Sequence, residues 1–269
     1  MKTQKKLWSA LAALCVATGT VAQPAYNYSK LQKEQLGRGV VAIRENPSDV
    51  VVSWRYLSSD PINTSFNVYR NGEKIAEVPH STGTFYRDTY SGNEKAVYTV
   101  KPVINGVETG KLNGNYTLPA NAPSGYIDIP LDRPAEGVTP SGQKYTYSPN
   151  DASIGDVDGD GEYEIILKWD PSNAHDNAHD GYTGNVYFDC YRLTGEKLWR
   201  IDLGHNVRAG AHYTQFMVFD LDGDGKAEVV MKTSDGTKDG KGKIIGDAKA
   251  DYREPGITCL LYTSDAADE

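Results

Sequence analysis

The sequence predicts an all-β protein, and three features of its pattern support this. Short runs of alternating apolar and polar residues recur between about Leu36 and Pro119, and the turn-forming pairs Asn71-Gly72 and Asn105-Gly106 separate some of them. Almost no segment spaces its apolar residues at the helical period. Two acidic stretches in the second half share one layout, and each leads into an apolar, strand-like run. We therefore expect two β-rich regions with different roles.

The N-terminal residues 1–22 have the order of a secretory signal peptide. Three lysines, Lys2, Lys5 and Lys6, precede an apolar run, and small residues follow it up to Ala22. We therefore expect an exported protein, extracellular or periplasmic, whose mature chain begins near Gln23. No later segment approaches the length of a membrane span, so the sequence predicts no membrane anchor within the mature chain.

Residues 23–120 are predicted to form the first domain. The predicted strands are Val50–Trp54, Phe66–Arg70, Lys74–Val78, Thr84–Tyr86, Ala96–Val103 and Val107–Thr109. Their order resembles a fibronectin type III or related immunoglobulin-like β-sandwich, with Trp54 and Tyr69 as expected core aromatics. A domain of this kind carries no chemistry by itself, so we expect these aromatics to pack the core.

Two further boundaries follow from composition. The stretch 118–139 is rich in Pro, Ala and Gly and predicts a linker into a second domain, 121–258. Residues 259–269 resemble a translated sequencing adapter, and we expect the native sequence to be interrupted at about Thr258. The chain has three cysteines, of which Cys190 alone lies between these two terminal segments, so no internal disulfide framework is expected. The net charge of −8 makes nucleic acid an unsuitable partner.

The twin acidic stretches predict calcium sites. Carboxylates on alternate residues, separated by glycines that let the chain curl, can direct several oxygens at one hard cation. A helical calcium hand is excluded because the twelfth residues of the two stretches are Leu167 and Met231, where that loop requires an acid. The alternative is an acidic turn that binds nothing, which repetition disfavours. The predicted ligands are Asp156, Asp158, Asp160 and Glu164 in the first stretch, and Asp220, Asp222, Asp224 and Glu228 in the second.

Repetition of these strand-rich units also predicts an array. A unit that cannot bury its own apolar face must stack on a neighbour, and units of this kind are typical of propeller blades. Two copies cannot close a ring, so we expect only the first blades of a calcium-binding β-propeller in this chain.

Three segments carry a resemblance to a known family. They are YSPNDASIGDVDGDGEYEIILKWDPSN, DGYTGNVYFDCYRLTGEKLWRIDLG and VRAGAHYTQFMVFDLDGDGKAEVVMKTSDGTKDGKG. In this order, behind the predicted sandwich, they resemble the front part of rhamnogalacturonan lyases of polysaccharide lyase family 11. The resemblance implies a secreted bacterial enzyme with an eight-bladed propeller that holds several calcium ions. It further implies cleavage of the rhamnogalacturonan I backbone of pectin, between rhamnose and galacturonate, by β-elimination. We expect a monomer.

β-Elimination explains why such an enzyme needs positive charge. The C5 proton of galacturonate is weakly acidic while the neighbouring carboxylate is negative, so a cation or basic side chains must stabilise the enolate-like intermediate. A base removes the proton, and an acid or water protonates the leaving rhamnose oxygen. The product carries a 4,5-unsaturated galacturonate.

Candidate substrate contacts come from the resemblance. The family lines its cleft with an Asn before the first acidic loop and an Asp that ends the next strand, which correspond to Asn150 and Asp170. The alternatives are a turn residue and a cap on the following turn.

Candidate catalytic groups come from the residues themselves. Arg208 and His212, with His205 near them, are suited to a uronate or a metal, the alternative being that they hold loops in place. A zinc pair of His175 and His179 is disfavoured because their spacing suits a helix and this segment is predicted to be a loop.

Three functions remain open at this point. The first is the lyase, the second a non-catalytic calcium-dependent carbohydrate-binding or adhesion protein, and the third a lyase or hydrolase on a related galacturonan. We expect the 269-residue chain by itself to fold poorly and to be inactive, because a partial propeller exposes an unpaired edge.

Overall fold

The computed structural model describes residues 35–110, 113–176, 179–210 and 212–253. All of them lie within one compact unit, Lys33–Glu269. The predicted signal segment, residues 1–22, and the predicted adapter tail, residues 259–269, lie outside the described residues.

The first half consists of two antiparallel sheets. Its strands are β1 (Val41–Asn46), β2 (Asp49–Ser53), β3 (Ser65–Arg70), β4 (Glu73–Val78), β5 (Phe85–Thr89), β6 (Ala96–Ile104), β7 (Val107–Glu108) and β8 (Gly114–Leu118). One sheet has the order β1-β2-β5, and the other has the order β4-β3-β6-β7, with β8 also paired to β6. The predicted strands correspond to β2 through β7. The outer strands β1 and β8 fall in stretches where the sequence pattern predicts no particular strand.

One apolar core fills the first half. Alternate residues of β2 and β6, such as Val50, Val52, Tyr98 and Val100, are completely buried, as the period of two along a strand requires. Val68 of β3 joins them. Since both sheets contribute to one cluster of buried side chains, this core holds them together.

The two aromatics predicted for this core behave differently. Trp54 is buried and packs edge-to-face on Phe66, with ring centroids 5.4 Å apart. Tyr69 lies outside the core, and the Lys101 ammonium sits 4.6 Å from its ring centroid. Strand alternation explains the difference, because Phe66 and Val68 point into the core and Tyr69 follows on the other face.

The predicted Asn-Gly turns are confirmed. Asn71 and Gly72 have φ angles of 50° and 85°, and they connect β3 to β4. Asn105 and Gly106 repeat this conformation, with 51° and 78°, between β6 and β7. Two successive positive φ angles characterise the tight hairpin turn that Asn-Gly favours.

The second half continues with strands only. They are β9 (Gly137–Val138), β10 (Lys144–Tyr145), β11 (Tyr147–Gly155), β12 (Glu164–Pro171), β13 (Tyr187–Tyr191), β14 (Lys197–Asp202), β15 (Phe216–Phe219) and β16 (Glu228–Met231). An antiparallel meander has the order β11-β12-β13-β14, and β15 pairs with β16. The apolar runs predicted after each acidic stretch correspond to β12 and β16, whereas β11 contains Pro149 and Asn150 and was not predicted as a strand.

The two acidic stretches occupy equivalent places. The first connects β11 to β12 and the second connects β15 to β16. The amide of Ala227 donates to the carbonyl of Asp156 at 2.7 Å, so the two connections touch. Phe188 of the meander packs on Phe216 with ring centroids 4.8 Å apart. The second hairpin therefore packs against the meander, with its acidic connection beside the first one.

The first half contacts the second at the first acidic connection. The amide of Gly37 donates to the carbonyl of Gly161 at 2.5 Å, and that of Gly39 donates to Glu162 Oε1 at 3.3 Å. The Arg55 guanidinium lies over the ring of Tyr163, 4.5 Å from its centroid. A β-rich segment and an acidic connection are thereby fixed to each other within one unit.

The predicted all-β class is confirmed for the described residues, which form strands, turns and loops. Their segments include no helix with the length and hydropathy needed to span a bilayer.

Candidate calcium loops and sugar-binding edge

The first acidic connection is held by one carboxylate. Asp156 is buried, and its Oδ1 accepts hydrogen bonds from the amides of Gly159 at 2.7 Å and Asp160 at 3.1 Å. Its Oδ2 accepts from the amide of Gly161 at 2.9 Å. Gly159 and Gly161 have φ angles of 80° and 91°, a backbone conformation in which a residue with a side chain would be strained. The local sequence thus folds a tight loop around the Asp156 side chain.

Three carboxylates converge inside this loop. Oxygens of Asp156, Asp158 and Glu164 lie within 4.8 Å of one another. Glu164 is almost completely buried, and this burial raises the pKa of its carboxyl to about 7, with Asp158 and Asp160 adding to the rise. Carboxylates held this close in a buried place repel unless a cation balances them.

The second loop repeats the pattern of hydrogen bonds. Asp220 accepts from the amides of Gly223 at 2.8 Å and Gly225 at 3.1 Å. The amide of Leu221 donates to Glu228 Oε2 at 2.8 Å, as the amide of Val157 donates to Glu164 Oε2 at 3.1 Å. Asp220, Asp222 and Glu228 form the corresponding cluster within 4.8 Å, and it is more exposed than the first. The repeated sequence therefore builds the same loop twice.

Two of the eight predicted ligands lie outside these clusters. Asp160 Oδ1 accepts from the amide of Glu162 at 2.9 Å, and Asp224 Oδ1 accepts from the amide of Lys226 at 2.9 Å. Both carboxylates therefore shape the turn in the geometry seen here. Calcium ligation by Asp160 and Asp224 stays a prediction.

Arg192 is a partner that sequence reasoning missed. Its guanidinium pairs with Asp158 and Asp160 and lies 4.0 Å from Glu164 Oε1. No local signal points to it, because it follows β13 and reaches the loop only through the pairing of β12 with β13. It offsets part of the negative charge of the first loop.

The donor set of both loops fits a calcium ion. Each cluster offers three carboxylates in a turn shaped by glycines, and carboxylate oxygens are the ligands that calcium prefers. Among the described residues, the two loops are the places where three His, Cys, Asp or Glu side chains can meet around one ion. The rings of His175 and His179 lie edge-to-face with centroids 6.3 Å apart.

The predicted sugar-binding residues lie at the opposite end of the same hairpin. Ser148 and Asp170 are paired across β11 and β12, and Asn150 falls in an irregular stretch of β11. Glu164 begins β12 and Asp170 comes at its other end, so about 20 Å of extended strand separates them. The first acidic loop and this edge, formed by Asn150, Asp151, Lys168 and Asp170 and here called the carboxylate edge, are therefore separate places on the hairpin.

The side chains at the carboxylate edge differ in exposure. Asn150 is exposed, and its Oδ1 accepts from the amide of Asp151 at 2.8 Å. Asp170 is largely buried, and its Oδ1 has no hydrogen-bond partner among the described residues. Burial raises the pKa of the Asp170 carboxyl, Lys168 opposes this rise and Asp151 adds to it. Lys168, which the sequence analysis did not single out, is buried between these two acids.

The predicted catalytic candidates lie elsewhere. Arg208 is buried and donates to the carbonyls of His175 at 3.3 Å, Asp176 at 3.1 Å and His179. His212 is exposed, with its Nδ1 3.7 Å from Asp176 Oδ1. Arg208 thus holds the loop around Asp176, while His212 points to solvent. Their catalytic roles stay predictions.

His205 also contacts a loop. Its Nε2 lies 3.0 Å from the carbonyl oxygen of Ala250 and 4.0 Å from Asp251. This position fits the alternative that the histidine holds a loop in place.

Two family models match this chain. A model described as "Rhamnogalacturonan lyase family 11, C-terminal domain" matches residues 126–261, and one described as "Rhamnogalacturonan I lyases beta-sheet domain" matches residues 31–115. The first-half match ends at residue 115 and the second-half match begins at residue 126.

Known proteins show the same similarity. The chain is 52% identical over 257 residues to rhamnogalacturonan endolyase YesW of Bacillus subtilis (strain 168), covering 94% of this chain and 40% of the relative. It is 54% identical over 224 residues to rhamnogalacturonan exolyase YesX of the same organism, covering 83% and 36%. The crystal structure of the exotype lyase YesX superposes with a TM-score of 0.74 and 54% identity over 84% of this chain and 36% of that one. The chain thus spans about two fifths or less of these relatives.

Proposed function

Because the chain belongs to rhamnogalacturonan lyase family 11, we propose that it is the front part of a secreted, pectin-degrading rhamnogalacturonan lyase. The observation that carries this proposal is 52% identity to a rhamnogalacturonan endolyase over 94% of the chain. The substrate is then the rhamnogalacturonan I backbone, and the full-length protein is the active species. We place the strands of the first half in a β-sandwich and those of the second half in the first blades of a propeller.

The proposed reaction is β-elimination. A base removes the C5 proton of a galacturonate, the electron pair forms the double bond between C4 and C5, and the bond from C4 to the rhamnose oxygen breaks. That oxygen receives a proton, and the new end is a 4,5-unsaturated galacturonate. The chemistry requires the sugar to be held in one orientation while these bonds change.

In this chain, the carboxylate edge is suited to orienting the sugar. Asp170 Oδ1 is a buried acceptor without a partner among the described residues, and Asn150 lies exposed on the neighbouring strand. Sugar hydroxyl groups are good donors to a carboxylate and good partners for an amide. We therefore assign Asn150 and Asp170 to substrate binding.

In this proposal the two loops hold calcium and support the fold. Asp156, Asp158 and Glu164 would bind one ion, and Asp220, Asp222 and Glu228 another. When bound, calcium would supply the positive charge that cancels carboxylate repulsion in each loop. The 20 Å of strand between Glu164 and Asp170 supports a structural role for the first of these sites.

The test is the formation of unsaturated ends by the full-length protein. We expect ultraviolet absorbance of the conjugated uronate to rise when the protein meets rhamnogalacturonan I with calcium present, and not when it meets homogalacturonan. Product sizes distinguish internal from terminal cleavage. Binding without new absorbance would replace the lyase with a carbohydrate-binding protein, and products from homogalacturonan alone would change the substrate.

A further inference from the structure

Lys168 is a buried lysine at the carboxylate edge. Its side chain is only 2% exposed, and its Nζ lies 2.8 Å from Asp151 Oδ2 and 4.0 Å from Asp170 Oδ2. Burying an ammonium group is costly unless carboxylates balance it, so this arrangement needs both a reason and partners. Ile166, two positions earlier on the same face of β12, packs in the apolar core of the second half. An apolar residue at position 168 could pack in the same way.

Within the described residues, one oxygen of Asp170 faces a charged partner and the other has no hydrogen-bond partner. Oδ2 faces Lys168, whereas Oδ1 is buried and accepts no hydrogen bond from the part of the chain that the structure describes. Buried polar atoms in folded proteins nearly always have a partner. An acceptor oxygen without one, next to a buried positive charge, is a candidate position for a hydrogen-bond donor from outside the described residues.

We propose that Lys168 is a positioning residue for substrate. It keeps the Asp170 carboxylate ionised and turned so that Oδ1 accepts a hydrogen bond from a hydroxyl group of the bound sugar. This inference rests on the proposed function, since it deepens the role of Asp170. Asp151, 65% exposed, fixes Lys168 from β11 and completes the arrangement.

The two neighbours of Asp170 act on it in opposite directions. Among the described residues, the charged groups that act on its carboxyl are Lys168 of its own strand and Asp151 of β11. Loss of the Lys168 charge raises the pKa of Asp170, and loss of the Asp151 charge lowers it. Because the ionised form accepts the hydrogen bond, sugar binding is lost as the pH falls through the pKa of Asp170.

The experiment measures the pH dependence of kcat/KM and of oligosaccharide binding in the full-length protein. Lys168→Met should lower kcat/KM by about tenfold or more, mainly through KM. It should also move the acid limb of the pH profile, which is the fall of kcat/KM at acidic pH, to higher pH. Asp151→Asn should move that limb to lower pH. Lys168→Arg, which keeps the charge, should restore the wild-type limb.

The outcomes separate the inference from the proposed function. The inference would be overturned if Lys168→Met kept the kcat/KM of the wild type and its fall at acidic pH. It would also be overturned if Lys168→Met and Asp151→Asn moved that fall in the same direction, as a purely structural role predicts. If the protein binds rhamnogalacturonan oligosaccharides but forms no unsaturated ends, the lyase proposal fails. In that case, the same shifts in the pH dependence of the binding constant would still support the positioning role of Lys168. Their absence would overturn that role. Absence of any binding would overturn both.

Discussion

At the scale of single residues, buried charged side chains join the strands of the second half. Asp189 is completely buried on β13, where it accepts from Trp169 Nε1 at 2.9 Å and from the Tyr191 hydroxyl at 2.6 Å. Arg200 binds both of its oxygens, each at 2.6 Å. These bonds join β12, β13 and β14 through one carboxylate, so its charge supports the whole meander.

Loss of this carboxylate should destabilise the meander strongly. Asp189→Ala leaves Arg200 without its buried partner, and we expect the opening free energy of β12–β14 amides to fall by about 3 to 5 kcal/mol. Hydrogen exchange of the full-length protein measures it. Glu77→Gln, which breaks the exposed pair with Lys74, is the matched control and should change the value by less than about 1 kcal/mol. Equal small effects in both variants would contradict the prediction.

At the scale of elements, glycines and aspartates set the turns from within their own sequence. Gly72 closes the hairpin of β3 and β4 at a φ of 85°, and a methyl group added there would meet no atom of the described residues within 4 Å. Any cost of a side chain at this position therefore comes from the backbone conformation alone.

Gly72→Ala should weaken the hairpin by about 1 to 2 kcal/mol, because a left-handed conformation crowds a Cβ atom against the backbone. Gly110→Ala is the control, since it also has open space around it and lacks a positive φ angle. Hydrogen exchange of β3 and β4 in the full-length protein reports the difference. A hairpin equally protected in both variants would show that the turn tolerates alanine.

The acidic loops give a second prediction at this scale. Asp222 belongs to the cluster of the second loop, while Asp224 Oδ1 accepts a hydrogen bond from the Lys226 amide. We therefore expect Asp222→Asn to weaken calcium binding by about tenfold or more, and Asp224→Asn to weaken it less. Calorimetric titration of chelator-treated full-length protein with calcium checks this. If Asp224→Asn weakened calcium binding more than Asp222→Asn, the ligand set would be better described by all four acids of the sequence repeat than by the three clustered carboxylates.

At the scale of the whole molecule, the second half leaves apolar side chains uncovered. Met217 and Phe219 of β15, Val230 of β16 and Ile154 of β11 are each about half exposed or more. Large apolar side chains grouped on strands usually pack against another part of a protein. In the proposed propeller, further blades cover them.

The 269-residue chain should therefore show no lyase turnover by itself. We expect it to bind a hydrophobic dye and to aggregate, while the full-length protein does neither. Absorbance assays on rhamnogalacturonan I, run with equal concentrations of the two proteins, make the comparison. Robust turnover by the short chain would contradict the expectation and would place a complete active site within these residues.

The sequence by itself determined the features that depend on near neighbours. The Asn71-Gly72 turn, the alternation that buries Val50 and Val52, and the glycine-shaped loop around Asp156 all follow from a few consecutive residues. Strand β11 was missed because Pro149 and Asn150 are typical of turns, and only pairing with β12 makes that stretch extended.

Tertiary structure decided which distant charges meet. Strand pairing brings Arg192 to the first loop and places Lys168 between Asp151 and Asp170. Loop packing places the Arg208 guanidinium against backbone carbonyls, to which it donates hydrogen bonds. Tertiary structure also placed the carboxylate edge about 20 Å from the first acidic loop, although both belong to one hairpin. The physical reason is that turn conformation is local, whereas burial and charge pairing depend on residues that only the folded chain brings together.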